Sequence, residues 1–377
     1  MDIKEPIQLL GGLSPDKFMR LYWQKKPLLI RRALPDFKPL LSRAELFELS
    51  SRPDVESRLL EYRDSGEGAS WRLKSGPFSR RALPPLSLPN WTLLVQGVDL
   101  HHNNAHALLK RFRFLPDARL DDLMISYASM GGGVGPHFDS YDVFLLQASG
   151  RRRWQIGRQK DLSIRADSPI KILENFYPEH TYELNPGDML YLPPRYAHNG
   201  VAMDSDCMTY SVGFRAPGAQ EVAREILQRI AEDSIDALKP SIYCDSGQLA
   251  VGSPGAIPSG MEVFAKKAIE KLIQTPGLLG QILGEYLTEP KTDVWFEAGE
   301  TPKDSTEIIL DRKTKMMHDK SHVFINGESF LATGLEGRLM RKLSDDKKLQ
   351  VSELKRMSES AQELVQSWCI AGWVHGK

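Results

Sequence analysis

The sequence has few cysteines, no CxxC pair and no long apolar run. Cys207, Cys244 and Cys369 are its only cysteines; their odd number and wide spacing argue against a disulfide framework and fit a reducing cytosol. Without a CxxC pair, a structural zinc ribbon is excluded. No run of about 18 apolar residues occurs, so we expect no membrane span. The charged N-terminal sequence MDIKEPIQLLGG is not typical of a signal peptide.

The sequence also lacks an excess of charge of either sign. Lysine and arginine together number 49, and aspartate and glutamate also number 49, so the formal net charge is zero. This balance is not typical of a globally basic nucleic-acid-binding protein, and we expect no direct binding to nucleic acid. Taken with the cysteine usage, it indicates a cytoplasmic protein without a membrane partner.

The first domain is predicted to be mainly β. The chain has 377 residues, enough for two or three domains. Between residues 123 and 215, short β-rich runs are bounded by Gly, Pro or Asp; they are LMISYAS, YDVFLLQ, RRRWQIG, TYEL, DMLYLP and MTYSVGF. This spacing is typical of an antiparallel sandwich or barrel. We place the domain at residues 1–216.

Two further segments follow, at residues 217–290 and 291–377. The first carries apolar residues at helical spacing and predicts helices that form either a subunit interface or an internal core. The second contains Asn326-Gly327 between two apolar runs, a strong hairpin signal, followed by three helical patterns. A hairpin packed on short helices resembles a winged helix. Its last helix has no excess of basic residues, which favours a role in protein–protein contact.

A metal site is predicted from two histidines and an aspartate. His137 and Asp139 are two residues apart at the predicted start of a strand, so their side chains face the same way. His198 is predicted to lie in the loop after a later strand, which ends in Pro193-Pro194. Two imidazoles and one carboxylate form the facial triad of non-haem Fe(II) oxygenases. A lone HxD more often marks a surface histidine, but the Gly-rich turn, the strands and the later histidine together favour the metal site.

An inward-facing arginine is predicted next to this site. In the run RRRWQI, Arg152 shares a strand face with Trp154 and Ile156, which should be buried. A buried guanidinium needs a carboxylate partner, and a dicarboxylate co-substrate would supply one through a bidentate pair. Ser126 in MISYAS could add a hydroxyl to the same carboxylate; pairing with the backbone is the alternative.

Four segments resemble a known family. They are YWQKKPLLI (22–30), DDLMISYASMGGGVGPHFDSYDVFLLQASGRRRW (121–154), PGDMLYLPPRYAHNG (186–200) and YSVGFRAP (210–217). These segments are similar to the bacterial ribosomal oxygenases, JmjC-type 2-oxoglutarate-dependent hydroxylases that modify an arginine side chain of a large-subunit ribosomal protein.

The resemblance implies a fold for each segment. Residues 1–216 would hold a double-stranded β-helix of the cupin/JmjC type with an N-terminal extension. Residues 217–290 would form a helical dimerisation segment, and residues 291–377 a small α+β winged-helix-like domain. The protein would be a homodimer.

The resemblance also implies roles for single residues. His137, Asp139 and His198 match the ligands of Fe(II), the cofactor. Arg152 and Ser126 match residues that bind 2-oxoglutarate, the co-substrate. The implied activity is that of a protein-arginine 3-hydroxylase whose partner is a large-subunit ribosomal protein.

A substrate arginine needs acidic or aromatic neighbours, which suggests four further residues. These candidates are Asp122, Tyr141, Asp142 and Tyr196. A cap at the sheet edge is the alternative for Asp122, and packing is the alternative for the tyrosines.

Two other functions are compatible with parts of this pattern. A related JmjC hydroxylase could act on a histidine or another residue of a different basic protein, with the same metal and co-substrate residues. A non-catalytic cupin-like binding module would keep the fold but would have no reason to retain the whole set of ligands. Similarity along the chain favours the ribosomal arginine hydroxylase.

Overall fold

The computed structural model describes residues 2–64, 69–234, 241–300 and 307–377. The chain divides into two compact units, Met1–Ala216 and Pro217–Lys377. Within the described residues, no helix has both the length and the apolar character needed to cross a membrane.

The first unit is mainly β, as expected. Its strands are β1 (Leu28–Ile30), β2 (Ser57–Asp64), β3 (Ala69–Ser75), β4 (Trp91–Val95), β5 (Leu120–Ala128), β6 (Asp142–Ser149), β7 (Arg152–Gly157), β8 (His180–Leu184), β9 (Met189–Leu192), β10 (Ala197–Ala202) and β11 (Cys207–Phe214). They form a large sheet in the order β1-β9-β6-β11-β5-β4-β2-β3 and a small sheet in the order β10-β7-β8. Neighbouring strands in both sheets pair antiparallel.

Alternation along β6 shows how the two faces of the large sheet are used. Val143 and Leu145 pack with Trp154 of the small sheet in the space between the sheets. Phe144 faces the other way, into a larger core. Helices α1 (Pro15–Leu21), α2 (Arg43–Leu49) and α3 (Asn103–Lys110) contribute apolar side chains to that core.

The N-terminal helices begin where the sequence provides caps. Ser14 caps α1, with Pro15 at the first helical position, and its hydroxyl accepts the Lys17 backbone N–H. Ser42 and Glu45 form a capping box at the start of α2. These short helices are therefore defined locally before they pack on the sheet.

The second unit begins with helices and continues as a small α+β unit. The helices are α4 (Ala219–Arg229, extended by a π-helical turn, Ile230–Ser234), α5 (Ser259–Ile273), α6 (Leu278–Thr288), α7 (Gly334–Asp346), α8 (Val351–Leu354) and α9 (Glu359–Ile370). The strands are β12 (Glu307–Leu310), β13 (Met316–His318), β14 (His322–Ile325), β15 (Glu328–Leu331), β16 (Lys348–Gln350) and β17 (Val374–Gly376). They pair as β16-β12-β17 and β13-β14-β15.

The predicted hairpin lies at Asn326-Gly327. Both residues have positive φ, 48° and 90°, and Ile325 pairs with Glu328 across the two-residue turn between β14 and β15. An Asn-Gly pair adopts these angles with little strain, so the hairpin prediction is confirmed.

Candidate active site

His137 and His198 meet in a short antiparallel bridge. The His137 backbone N–H donates to the His198 carbonyl at 2.9 Å, and the reverse bond measures 2.8 Å. His137 lies in the segment before β6 and His198 lies on β10. The prediction that His137 begins a strand and that His198 lies in a loop is therefore wrong. The prolines and Asn199-Gly200 around His198 resemble a loop, but pairing with β7 makes this segment a strand.

The three predicted metal ligands lie together. One ligand atom from each of His137, Asp139 and His198 falls within 4.8 Å of the others. The His198 Nε2 atom is 3.6 Å from Asp139 Oδ2. The Arg195 backbone N–H donates to the backbone carbonyl of Asp139 at 2.7 Å and so fixes the backbone of this ligand. Arg195 itself has a positive φ of 62°.

Backbone carbonyls orient both imidazoles. His137 Nδ1 lies 2.9 Å from the Gly135 carbonyl, and His198 Nδ1 lies 2.9 Å from the Tyr196 carbonyl. Because a carbonyl can only accept, each Nδ1 carries the proton and each Nε2 keeps its lone pair for a metal. Burial, together with nearby His137, lowers the pKa of His198 to about 4. His198 is therefore neutral at pH 7, which is the form that binds a metal, and this donor set fits Fe(II).

Arg152 is buried with part of its guanidinium unsatisfied. It is 4% exposed, and its Nη1 atom donates to Ser126 Oγ at 3.4 Å. Its Nε and Nη2 atoms have no hydrogen-bond partner among the described residues. The guanidinium lies 5.6 Å from the ring of Trp154, whose ring is 5.8 Å from that of His198. An anion with two oxygens would accept hydrogen bonds from both of these nitrogens. The residues therefore fit a carboxylate co-substrate close to the metal ligands.

Comparison with known proteins identifies the family. Residues 107–222 match the JmjC domain, and residues 271–375 match the ROXA-like winged helix. The chain is 36% identical over 300 residues to the ribosomal protein uL16 3-hydroxylase of Escherichia coli, which covers 78% of this chain and 76% of the relative. The chain belongs to the ribosomal oxygenase family.

Solved structures of an Escherichia coli ribosomal oxygenase, YcfD, share this fold. One YcfD structure is 28% identical to this ribosomal oxygenase, with a TM-score of 0.85, and covers 96% of this chain and 98% of its own. A second, with cobalt and 2-oxoglutarate bound, has the same identity and coverage and a TM-score of 0.81. The expectation of a JmjC-type β domain followed by a winged helix is confirmed.

Two of the four substrate candidates lie together in this oxygenase. Asp122 is on the same face of β5 as Ser126, and its Oδ2 atom accepts the Gly97 backbone N–H at 3.0 Å. A Cβ atom on Gly213 would lie 3.4 Å from Asp122 and 3.9 Å from Tyr141. Desolvation of Tyr141 raises the pKa of its hydroxyl, and the nearby carboxylates, including Asp122, raise it further. Tyr141 therefore remains a hydrogen-bond donor beside a carboxylate.

Asp142 does not belong to this group. It is fully buried, and its Oδ1 atom accepts the Tyr191 hydroxyl at 2.6 Å. Its Oδ2 atom accepts from Gln24 at 3.0 Å and from Arg119 at 3.2 Å. On β6 it shares the face of Phe144, away from the space between the sheets. Asp142 therefore holds the N-terminal segment to the large sheet, and these contacts favour a structural role over contact with a substrate.

Tyr196 contacts Glu179 through its hydroxyl and His198 through its backbone. Its hydroxyl donates to Glu179 Oε2 at 3.1 Å, and its carbonyl orients His198. The structure thus gives Tyr196 a place behind a metal ligand.

Sequence reasoning missed two residues of this site. Arg195 holds the Asp139 backbone through an N–H group, which no side-chain pattern indicates. Gln147 is fully buried and contacts the turn that leads to Arg152. It is the polar exception in the run VFLLQA (143–148), and that contrast could have indicated it.

Proposed function

We propose that this protein is a 2-oxoglutarate- and Fe(II)-dependent protein hydroxylase that acts on an arginine side chain of a large-subunit ribosomal protein. One observation carries the proposal. Buried Arg152 has two guanidinium nitrogens without a partner among the described residues, and it lies near the cluster formed by two histidines and one aspartate. The Escherichia coli relative named uL16 3-hydroxylase supports a ribosomal protein as substrate. By the same likeness, the reaction is a 3-hydroxylation.

The chain's own residues bind and orient the reactants. His137, Asp139 and His198 would hold Fe(II), and Arg152 with Ser126 would hold the far carboxylate of 2-oxoglutarate. Bound together, Fe(II) and 2-oxoglutarate would supply reductive activation of dioxygen, coupled to oxidative decarboxylation of 2-oxoglutarate to succinate and carbon dioxide. Trp154 lies between the arginine and His198, 5.6 Å from the guanidinium and 5.8 Å from the imidazole, and would limit the access of water to both.

Asp122 and Tyr141 would recognise the substrate guanidinium. The carboxylate supplies the opposite charge, and the tyrosine supplies a ring face and a hydroxyl. Both lie at the end of the large sheet that leads to Asp139, as their closeness to Gly213 and the influence of Asp139 on Tyr141 indicate. The substrate side chain would therefore reach the metal ligands from the end of the large sheet where Asp122 and Tyr141 lie.

In this proposal, each of the three segments of the chain has its own role. Residues 1–216 are the catalytic domain with its N-terminal extension, residues 217–290 the dimerisation segment and residues 291–377 the winged-helix-like domain. The helical segment exposes many large apolar side chains: Leu227, Ile242, Leu249, Val251, Ile257, Met261, Val263, Ile269, Ile273 and Leu279. Such a large exposed set is typical of a subunit interface, and a second copy of the chain would cover it. The enzyme would work in the cytoplasm, where ribosomal proteins are found.

Mass spectrometry of large-subunit ribosomal proteins tests the proposed substrate. They are incubated with the enzyme, Fe(II), 2-oxoglutarate and air, with His137→Ala as the control variant. We expect one added oxygen on an arginine with the wild type and none with the variant. Succinate formation without this mass increase would reject the arginine substrate and favour another residue, such as a histidine of a different basic protein. Neither product would favour the binding module.

A further inference from the structure

Gln147 is a buried amide whose contacts converge on the start of β7. It is fully buried near the end of β6. Its Nε2 atom donates to the carbonyls of Ser149 at 2.7 Å and Gly150 at 3.2 Å. Arg152 begins β7 two residues after Gly150. The amide therefore holds the turn from which the arginine side chain extends.

The other end of the amide is fixed as well. The Thr209 hydroxyl donates to Gln147 Oε1 at 2.9 Å, and Nε2 also lies 3.3 Å from Cys207 Sγ. Thr209 pairs with Gln147 on one side and with Ser126 on the other, across β6, β11 and β5. A row of buried polar side chains thus crosses the large sheet and ends at the hydroxyl that contacts Arg152.

The turn itself leaves little room for another arrangement. Gly150 has φ of 62°, and a Cβ atom there would lie 2.8 Å from the Asp206 carbonyl oxygen. The Arg151 backbone N–H donates to Asp204 at 2.7 Å. Gln147 thus contacts this turn from the interior of the domain, and residues 204–206 contact it from the other side.

We propose that Gln147 is a positioning residue for Arg152 and thereby sets the affinity of the enzyme for its dicarboxylate co-substrate. The inference rests on the proposed binding of 2-oxoglutarate by Arg152. A bidentate pair needs a guanidinium at a fixed place and angle, and a loosened turn would widen its distribution. Thr209 supports this role by holding the amide in one rotamer.

Two variants separate this role from a general effect on stability. Gln147→Met keeps the side-chain volume and removes every hydrogen bond of the amide, whereas Thr209→Val removes only the hydroxyl that holds it. The matched control is Thr288→Val, since Thr288 is also fully buried and its hydroxyl donates to the Gly284 carbonyl at 2.8 Å. Thermal unfolding is measured for all three, and Thr209→Val carries the test if Gln147→Met does not fold.

The decisive readout is the Kd of 2-oxoglutarate for the Mn(II)-loaded enzyme, measured by calorimetry beside the Kd of Mn(II). We expect the 2-oxoglutarate Kd to rise about tenfold in Gln147→Met and about threefold in Thr209→Val, as for residues behind a ligand-binding side chain. The Kd of Mn(II) and the values for Thr288→Val should not change. In turnover, the KM for 2-oxoglutarate should rise while kcat changes less than twofold.

A second background tests whether Gln147 acts through Arg152. Lysine at position 152 keeps the charge but not the rigid fork, so it depends less on where the strand begins. In Arg152→Lys, we expect Gln147→Met to have much less than its tenfold effect. An undiminished effect in that background, or an unchanged 2-oxoglutarate Kd in both single variants, would overturn the inference and leave the proposed function standing. An unchanged Kd in Arg152→Ala would overturn both.

Discussion

Asp142 and Arg152 are both buried charged residues, on strands that follow one another in the chain, yet only one of them has its hydrogen bonds completed by the protein. Tyr191, Gln24 and Arg119 use both oxygens of Asp142. Two nitrogens of Arg152 are left without a partner among the described residues. An unpaired buried cation is costly, which is why this residue, unlike Asp142, indicates a ligand.

Metal binding is expected to depend on Asp139. Asp139→Ala removes the single anionic ligand, so we expect Mn(II) binding to weaken beyond detection in a calorimetric titration and turnover to stop. His375→Ala serves as the control, because His375 lies in the second unit and is bonded to Asp311. Mn(II) binding that survives in Asp139→Ala would contradict the ligand assignment.

Asp142 and Asp122 are expected to respond differently to substitution. Asp142→Ala leaves Arg119 without its buried partner, so we expect the free energy of unfolding to fall by about 3 kcal/mol in urea denaturation. Asp122→Asn keeps the acceptor for the Gly97 N–H and removes the charge, so we expect near-normal stability but a higher KM for the protein substrate. Equal substrate KM in Asp122→Asn and the wild type would remove Asp122 from the substrate site.

At the scale of elements, β10 and β7 bring the metal site and the co-substrate site together. Gly200 of β10 pairs with Trp154 of β7, and a Cβ atom at Gly200 would lie 2.5 Å from the indole ring. Glycine is required here because the indole of Trp154 occupies the space that a side chain would need.

Gly200→Ala should therefore destabilise the protein by about 1–3 kcal/mol, because the buried indole must move. The movement should also weaken Mn(II) binding, since His198 lies two residues away on the same strand. Gly218→Ala is the matched control, because nothing lies within 4 Å of its Cβ position. Denaturant unfolding of the two variants checks this prediction, which fails if they are equally stable.

The sequence predicts those elements whose local signals agree with their tertiary role. Each of the six β-rich runs between residues 123 and 215 contains residues of a strand. These runs are rich in β-branched and aromatic residues, and turn residues mark their ends. Strand β10 was missed because PPRYAHNG is rich in turn residues and becomes a strand through pairing with β7. Strands β2 and β3 were missed because charged residues interrupt their apolar pattern.

Part of the candidate site could also be predicted from the sequence. Period-two alternation predicted a buried Arg152 on the face of Trp154 and Ile156, and all three residues are buried in the structure. Alternation applied from Phe144 would have placed Asp142 on the opposite face from the site, but composition alone suggested a substrate contact. The backbone contacts of Gly135, Tyr196 and Arg195 with the metal ligands depend on loop geometry, which side-chain identity does not encode.

At the scale of the whole molecule, the proposed homodimer predicts a mass measurement. The side chains of Val263, Ile269 and Ile273 are 45–55% exposed along α5. Ile269→Glu would bury a charge in the interface, so light scattering should give the mass of two chains for the wild type and of one chain for the variant. Lys267→Glu is the control on the same helix and should remain dimeric. A monomeric wild type at micromolar concentration would contradict the dimer.

We propose that one site holds Fe(II) and 2-oxoglutarate in contact, with Arg152 as the anchor of the far carboxylate. Anaerobic titration of the Fe(II)-loaded enzyme with 2-oxoglutarate tests it most directly, because chelation of Fe(II) by a 2-oxo acid gives a visible charge-transfer absorption that neither component has alone. We expect this absorption in the wild type, its loss in His137→Ala and a shift to about 100-fold higher 2-oxoglutarate in Arg152→Ala, as for loss of a buried charged partner. Fe(II) binding without this absorption, or an unchanged titration in Arg152→Ala, would contradict the claim.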